Sequence, residues 1–191
     1  ANMGRHQGRR IDWAGGETTR PGRTAAKLEA DLLHAIDSGE IEVVFQPQFA
    51  LPDDGLKGAG ALARWNHRKI GRIGAGALFT VAERADHIAP LSRHIAKLAL
   101  EGAKDWPEQL RLSLNVTAFE LAAESYADEL LGVLEESGFA PQRLTLEVTE
   151  QALLADSQIA ARSLTRLSEV GIRIALDDFG AGFCNFRYLK L

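Results

Sequence analysis

The 191-residue sequence contains a single cysteine, Cys184, and no apolar run approaching the length of a membrane span. One cysteine excludes a disulfide framework and a cysteine-based zinc site. The five histidines lack the HxxxH and HExxH spacings of histidine metal sites. A bilayer-spanning helix needs about 20 apolar residues, and no signal peptide is visible. We therefore expect a cytoplasmic domain without membrane contact of its own, although the parent protein could be tethered.

The chain also lacks an excess of positive charge. Lysine and arginine number 22 against 26 aspartate and glutamate residues, which gives a formal net charge of -4. This balance argues against binding a nucleic-acid polymer or an anionic membrane. A local arginine could still bind one small anion. The hydrophobic fraction of 46% is typical of a globular domain with a sizeable core.

The N-terminal part of the chain changes character near residue 25. Residues 1–24 are rich in glycine and arginine and lack periodicity, which is typical of a linker or the tail of an upstream domain. Residues 25–38 show the apolar spacing of an amphipathic helix that ends at Gly39. The β-branched segment IEVVFQPQF, residues 41–49, predicts a strand.

A repeat of about 31 residues follows in the second half of the chain. The segments RLSLN, RLTLE and RIALD begin at Arg111, Arg143 and Arg173 and end at Asn115, Glu147 and Asp177. Helices are predicted between them, at about 118–136 and 151–170, the first opened by the capping box Thr117-x-x-Glu120. Alternating strands and helices at this period predict a βα repeat.

A (β/α)8 barrel accounts for this repeat better than a doubly wound open sheet. Eight units would total about 250 residues, and a barrel gathers the polar strand ends at one mouth. Strands are predicted to begin near residues 41, 56, 111, 143 and 172, and a helix near Phe183. Five strands do not close an eight-stranded barrel, so we expect the C-terminal units to lie beyond this sequence.

The strand ends carry hard oxygen donors, which suit Mg²⁺ or Mn²⁺ better than zinc or copper. These donors are Asn115, Glu147, Asp177 and Asp178. Asp177 and Asp178 can reach one site only where the strand breaks into the following FGAGF loop. Glu150 lies beyond its strand, where it could tether a loop. Two alternatives stay open: Asn115 or Asp178 taken singly would fit a helix cap, and Glu147 could pair with an arginine.

Six segments together resemble the EAL domain, a family of bacterial cyclic-di-GMP phosphodiesterases and their inactive relatives. They are FQPQF (45–49), GAGALARWNH (58–67), LFTVAERADHI (78–88), LSLNVTAFEL (112–121), LTLEVTE (144–150) and IALDDFGAGFCNFRYLKL (174–191). The resemblance covers residues 25–191. The segment ANMGRHQGRR is weakly similar to the end of a GGDEF domain, the diguanylate cyclase module that often precedes EAL domains.

The resemblance implies a TIM-like (β/α)8 barrel with an irregular first strand and a role for each matching residue. It implies that Asn115, Glu147, Asp177 and Asp178 bind metal, Asp178 at a second ion, and that Glu150 anchors the loop from Phe179. It further implies that Gln46, Leu62 and Arg64 contact the ligand, with Arg64 on a phosphate and Asp177 nearby.

Two departures from the family pattern stand out. The Glu-Ala-Leu motif is replaced by Gly60-Ala61-Leu62, so the metal-binding glutamate is a glycine. Family members commonly carry Ser-Ser where this chain has Cys184-Asn185. Loss of a metal ligand should weaken metal binding and water activation.

Three hypotheses for function follow. The first is a degenerate EAL domain that binds cyclic-di-GMP as a receptor with little or no hydrolysis. The second is a residual phosphodiesterase that uses Mg²⁺ or Mn²⁺ and releases linear pGpG. The third is a protein-interaction module, with a homodimer or an upstream GGDEF or sensor domain as partner. Fold alone does not decide among them.

Overall fold

The computed structural model describes residues 21–51, 54–149, 152 and 157–177. Its strands are β1 (Ile41–Phe49), β2 (Leu56–His67), β3 (Gly71–Gly74), β4 (Arg111–Val116), β5 (Leu144–Thr149) and β6 (Arg173–Asp177). Its helices are α1 (Pro21–Asp37), α2 (Ala75–Arg84), α3 (Ile88–Ala103), α4 (Ala118–Leu121), α5 (Tyr126–Ser137) and α6 (Ser157–Glu169), with a 3-10 turn at Pro141–Arg143.

The described strands form one sheet in the order β1-β2-β4-β5-β6, and β3 pairs with the far end of β2. Strand β1 is antiparallel to β2, whereas β2, β4, β5 and β6 run parallel. Helices connect the parallel strands, as expected of a barrel of this class. The predicted α/β architecture and its irregular first strand are confirmed. The short hairpin strand β3 was not predicted.

The helix predicted over residues 118–136 is wrong, because two helices occupy this stretch. The backbone N–H groups of Ala123 and Tyr126 donate to carbonyls three residues earlier, at 3.1 and 3.2 Å. These turn-type bonds close α4 after one turn and redirect the chain into α5.

The helix predicted over 151–170 corresponds to α6, although residues 151 and 153–156 lie outside the described residues, as does the helix predicted near Phe183. Gly171 follows α6 with a φ of 98°, a left-handed conformation that favours glycine.

Alternation along the strands separates a helix-facing side from an inner side. Leu112, Leu114 and Val116 of β4 are buried against the helices, and Leu144 and Leu146 of β5 continue this layer. The residues between them face the other way, onto what we call the inner face. A second cluster packs α1, α2 and α3 around Trp65 of β2, which is fully buried. The apolar layers thus hold the sheet while leaving its inner face polar.

Arg111 and Arg143, the first residues of two of the repeated segments, have a structural role at the N-terminal ends of the strands. Arg143 donates from Nε to the carbonyl of Leu110 at 3.3 Å and from Nη2 to that of Trp106 at 3.1 Å. Arg111 donates to the carbonyl of Gln142. Each guanidinium therefore ties its strand to the segment before a neighbouring strand. Among the described residues, no helix is long and apolar enough to span a membrane.

Candidate functional site

The inner face gathers the predicted site residues through the register of the strands. Directly paired residues share a face, and the pairs are Gln46–Gly60, Gly60–Ser113, Asn115–Glu147 and Thr149–Asp177. Leu62 and Arg64 follow Gly60 at intervals of two on β2. The described members of the predicted set therefore share one face: Gln46, Leu62, Arg64, Asn115, Glu147 and Asp177.

At the centre of this face, Glu147 is held by an amide. Gln48 of β1 donates from Nε2 to Glu147 Oε1 at 2.8 Å. Ser113 of β4 donates from Oγ to Gln48 Oε1 at 3.1 Å. Among the described residues, no arginine forms an ion pair with Glu147. The described residues therefore do not show the alternative in which Glu147 pairs with an arginine.

Gly60 lies beside this amide and leaves a space without a side chain. A Cβ atom placed on Gly60 would meet only Gln48 Nε2, at 3.6 Å, among the described atoms within 4 Å. That distance is an ordinary van der Waals contact. The strand position at which the family carries a glutamate is thus open to a side chain.

Arg64 lies at the far end of β2 without a carboxylate partner in the described chain. Its Nη1 donates to the carbonyl of Ala63 at 2.8 Å. Glu42, directly opposite on β1, is instead paired with Arg72 at 2.8 Å. The Arg64 guanidinium therefore keeps its positive charge available to an anion on the inner face.

Asn115 does not cap the helix that follows it. The N-cap of α4 is Thr117, whose Oγ1 accepts from the Glu120 N–H at 3.3 Å while Glu120 Oε2 accepts from the Thr117 N–H at 2.8 Å. The predicted capping box is confirmed. Because Thr117 fills the cap, the amide of Asn115 stays exposed at the strand end, in register with Glu147.

The capping carboxylate yields a pH-dependence prediction. Burial raises the pKa of Glu120, and the hydrogen bonds from Thr117 oppose that shift. A raised folded-state pKa means that ionisation costs stability as the pH rises above the usual glutamate range, about 4.3. Glu120→Gln keeps the capping acceptor, so we expect its unfolding free energy, relative to the original chain, to rise from about pH 4 to 7.

Urea unfolding at both pH values measures this difference. Glu135→Gln, an exposed position on α5, is the matched control and should show no such trend. A Glu120→Gln difference that is equal at both pH values would contradict the prediction.

The inner face offers oxygen donors to a magnesium or manganese ion. The described donors Asn115, Glu147 and Asp177 lie in the C-terminal halves of three neighbouring strands and suit these ions in type. Within the described ranges, however, no three His, Cys, Asp or Glu side chains form a metal-binding group. The donors fit the ion in type, but the described carboxylates do not make a complete ligand set.

Several predicted residues lie outside the described residues. They are Glu150, Asp178, the loop from Phe179 and the pair Cys184-Asn185. Their predicted roles stay predictions, as does the similarity of residues 1–10 to a GGDEF domain. The predicted linker, residues 1–24, overlaps α1, which begins at Pro21 and not at the predicted residue 25.

Sequence reasoning missed Gln48 and Ser113. A signal for both was present, because each lies two residues from a predicted site residue on the same strand, Gln46 and Asn115 respectively. An interval of two in a strand places side chains on the same face.

Comparison with known proteins decides the family. The EAL domain profile matches residues 29–191. This chain belongs to the EAL domain family. It is 34% identical over 172 residues to the cyclic di-GMP phosphodiesterase PA2567 of Pseudomonas aeruginosa, covering 87% of this chain and 29% of that protein. An uncharacterized signaling protein of Caulobacter vibrioides is 35% identical over 168 residues, covering 88% of this chain and 21% of that protein.

Solved structures agree with this family. The PaMucR phosphodiesterase in complex with c-di-GMP superposes with a TM-score of 0.79 at 27% identity, over 86% of this chain and 68% of that one. The EAL domain of FimX from Pseudomonas aeruginosa, bound to c-di-GMP, has a TM-score of 0.77 at 18% identity, covering 85% and 66% of the two chains, and supports the fold alone. This EAL chain spans between 20% and 54% of the length of the first curated relatives that it matches.

Proposed function

We propose that this EAL domain binds cyclic-di-GMP as a receptor or regulatory module and hydrolyses it little or not at all. The supporting observation is a contrast on β2. Arg64 keeps a guanidinium with no carboxylate partner among the described residues, whereas Gly60, four residues earlier on the same face, has no side chain. The strand therefore keeps an anion-binding group and lacks a metal-binding one.

Ligand binding draws on Arg64, Leu62 and Gln46, which share the inner face. A guanidinium forms charge-assisted hydrogen bonds with a phosphate without any metal. Gln46 is exposed and lies directly opposite Gly60 on β1, so it faces the same side of the sheet. The complex of PaMucR with c-di-GMP supports this assignment, since that chain has the same fold.

Hydrolysis would require an activated water. A Mg²⁺ or Mn²⁺ ion, when bound, supplies that activation and stabilises charge on the phosphodiester. In this chain Asn115, Glu147 and Asp177, together with Asp178, would hold such an ion, and Gly60 contributes no oxygen. Residual hydrolysis by these remaining donors is the second candidate. It is favoured by the pairing of Asn115 with Glu147 and by the similarity to PA2567, a cyclic di-GMP phosphodiesterase.

Titration calorimetry with cyclic-di-GMP in EDTA tests the receptor proposal. Arg64→Ala is expected to weaken binding by about 10- to 100-fold, since a hydrogen bond to a charged group contributes roughly 1.5–3 kcal/mol. Arg84→Ala, an exposed arginine on α2, is the matched control and should bind like the original chain.

Two outcomes would contradict the proposal. Absence of heat at high ligand concentration would favour an interaction module instead. Steady release of linear pGpG when Mg²⁺ or Mn²⁺ is added would establish the residual phosphodiesterase.

A further inference from the structure

Gln48 connects three strands of the inner face. It starts on β1, and its amide contacts Ser113 on β4 and Glu147 on β5. Strand β2 lies between β1 and β4 in the sheet, so the Gln48 side chain crosses over β2. The crossing takes place at Gly58 and Gly60, where β2 has no side chains.

The hydrogen bonds fix which end of the amide faces Glu147. With Nε2 toward the carboxylate, the amide donates to Glu147 and its oxygen accepts from the Ser113 hydroxyl. The opposite orientation would set the amide oxygen against a carboxylate oxygen, two acceptors with no hydrogen between them. Ser113 is buried, with 2% of its surface exposed, so its hydroxyl has few competing partners. The Glu147 carboxylate therefore fixes the amide in its donating orientation, and the Ser113 hydroxyl satisfies the amide oxygen.

We propose that Gln48, whose amide oxygen accepts from Ser113, is a positioning residue for Glu147 and holds its carboxylate ready for a cation at the inner face. Only Oε1 of Glu147 is used by the amide, and Oε2 accepts no hydrogen bond from the described residues. A carboxylate has about four lone-pair sites, so one amide contact leaves the others for an ion. This deepens the proposed function, because it rests on the inner face being the ligand site.

Gln48 also lies beside position 60, where the family carries a glutamate. A side chain at position 60 would start 3.6 Å from Gln48 Nε2. A primary amide carries two N–H donors, so Gln48 has one for Glu147 and a second for a carboxylate at position 60. Gln48 would thus support both carboxylates in a Gly60→Glu chain.

Mn²⁺ affinity measured by electron paramagnetic resonance tests the proposal. Hydrogen-bond partners of metal ligands typically contribute 10- to 100-fold to metal affinity. Gln48→Met keeps the length of the side chain and removes the amide, so the Mn²⁺ dissociation constant is expected to rise by about 10- to 100-fold. Ser113→Ala should raise it less, and Ser113→Thr, which keeps the hydroxyl, should restore the original value.

The controls separate positioning from folding and from nucleotide binding. Gln109→Met, an exposed glutamine, should leave Mn²⁺ affinity unchanged, and circular dichroism checks that each variant is folded. The same substitutions of Gln48 and Ser113, made in the Gly60→Glu chain, should lower its Mn²⁺ affinity by at least the same factor. Equal Mn²⁺ affinity for Gln48→Met and the original chain would overturn the proposal. Absence of Mn²⁺ binding in both the original chain and Gly60→Glu would overturn it as well. Nucleotide binding in EDTA is a separate measurement, so failure of the receptor proposal would be recognised independently.

Discussion

Replacing Gly60 with glutamate is expected to raise Mg²⁺- or Mn²⁺-dependent hydrolysis of cyclic-di-GMP by about 100-fold or more. The substitution adds one carboxylate to the inner face. Position 60 is directly paired with Ser113, which lies two residues before Asn115 on β4, and Asn115 is paired with Glu147. The backbone accepts the new side chain, because a Cβ at position 60 meets only Gln48 Nε2 at 3.6 Å among the described atoms. The gain should therefore come without a large loss of stability.

Release of linear pGpG, followed by chromatography at saturating Mg²⁺ and then Mn²⁺, measures this gain. Gly60→Gln is the matched control, since it has almost the same size and lacks the charge. It should show the same turnover as the original chain. Gly60→Glu that still binds the nucleotide yet gains no turnover would contradict the prediction and point to further departures from the family pattern, such as the pair Cys184-Asn185.

The inner face could be predicted from sequence because strand alternation is local. Asn115, Glu147 and Asp177 end three similar segments, and the structure places all three on one face of neighbouring strands. The alternation of side chains decides which face each residue of a strand occupies, and the repeat of about 31 residues indicates that the strands are parallel neighbours. No long-range information is needed for either step.

The contact between Gln48 and Glu147 could not be predicted in this way. The two residues are 99 positions apart, and Gln48 reaches Glu147 because β1 runs antiparallel beside β2 and the amide passes over β2 at Gly58 and Gly60. Such a contact depends on the order of the strands in the sheet, which no local sequence pattern gives. The break between α4 and α5 was missed for a different reason. Residues 118–136 are rich in the helix-forming residues Ala, Glu and Leu, and two turn-type hydrogen bonds end α4 regardless.

The two glycines of β2 that Gln48 crosses are expected to respond very differently to substitution. At Gly58, a Cβ atom would overlap the carbonyl oxygen of Arg111 and lie 2.9 Å from its carbonyl carbon. Both atoms belong to the backbone of β4, so neither can swing aside. Gly58→Ala must therefore separate β2 from β4, and we expect it to lower the unfolding free energy by about 3 kcal/mol or more, at or above the usual range for overpacking.

Gly60→Ala provides the matched control on the same strand, only two residues away. Its Cβ meets a side-chain amide at ordinary contact distance, so we expect a change within about 0.5 kcal/mol. Urea unfolding followed by circular dichroism measures both variants, and limited proteolysis serves if Gly58→Ala does not fold. Equal stability of the two would mean that β2 and β4 do not approach as closely as the pairing of Gly58 with Arg111 requires. A large loss at Gly58 alone would show that this glycine sets the spacing between the strands, while Gly60 is dispensable for folding and open to a functional side chain.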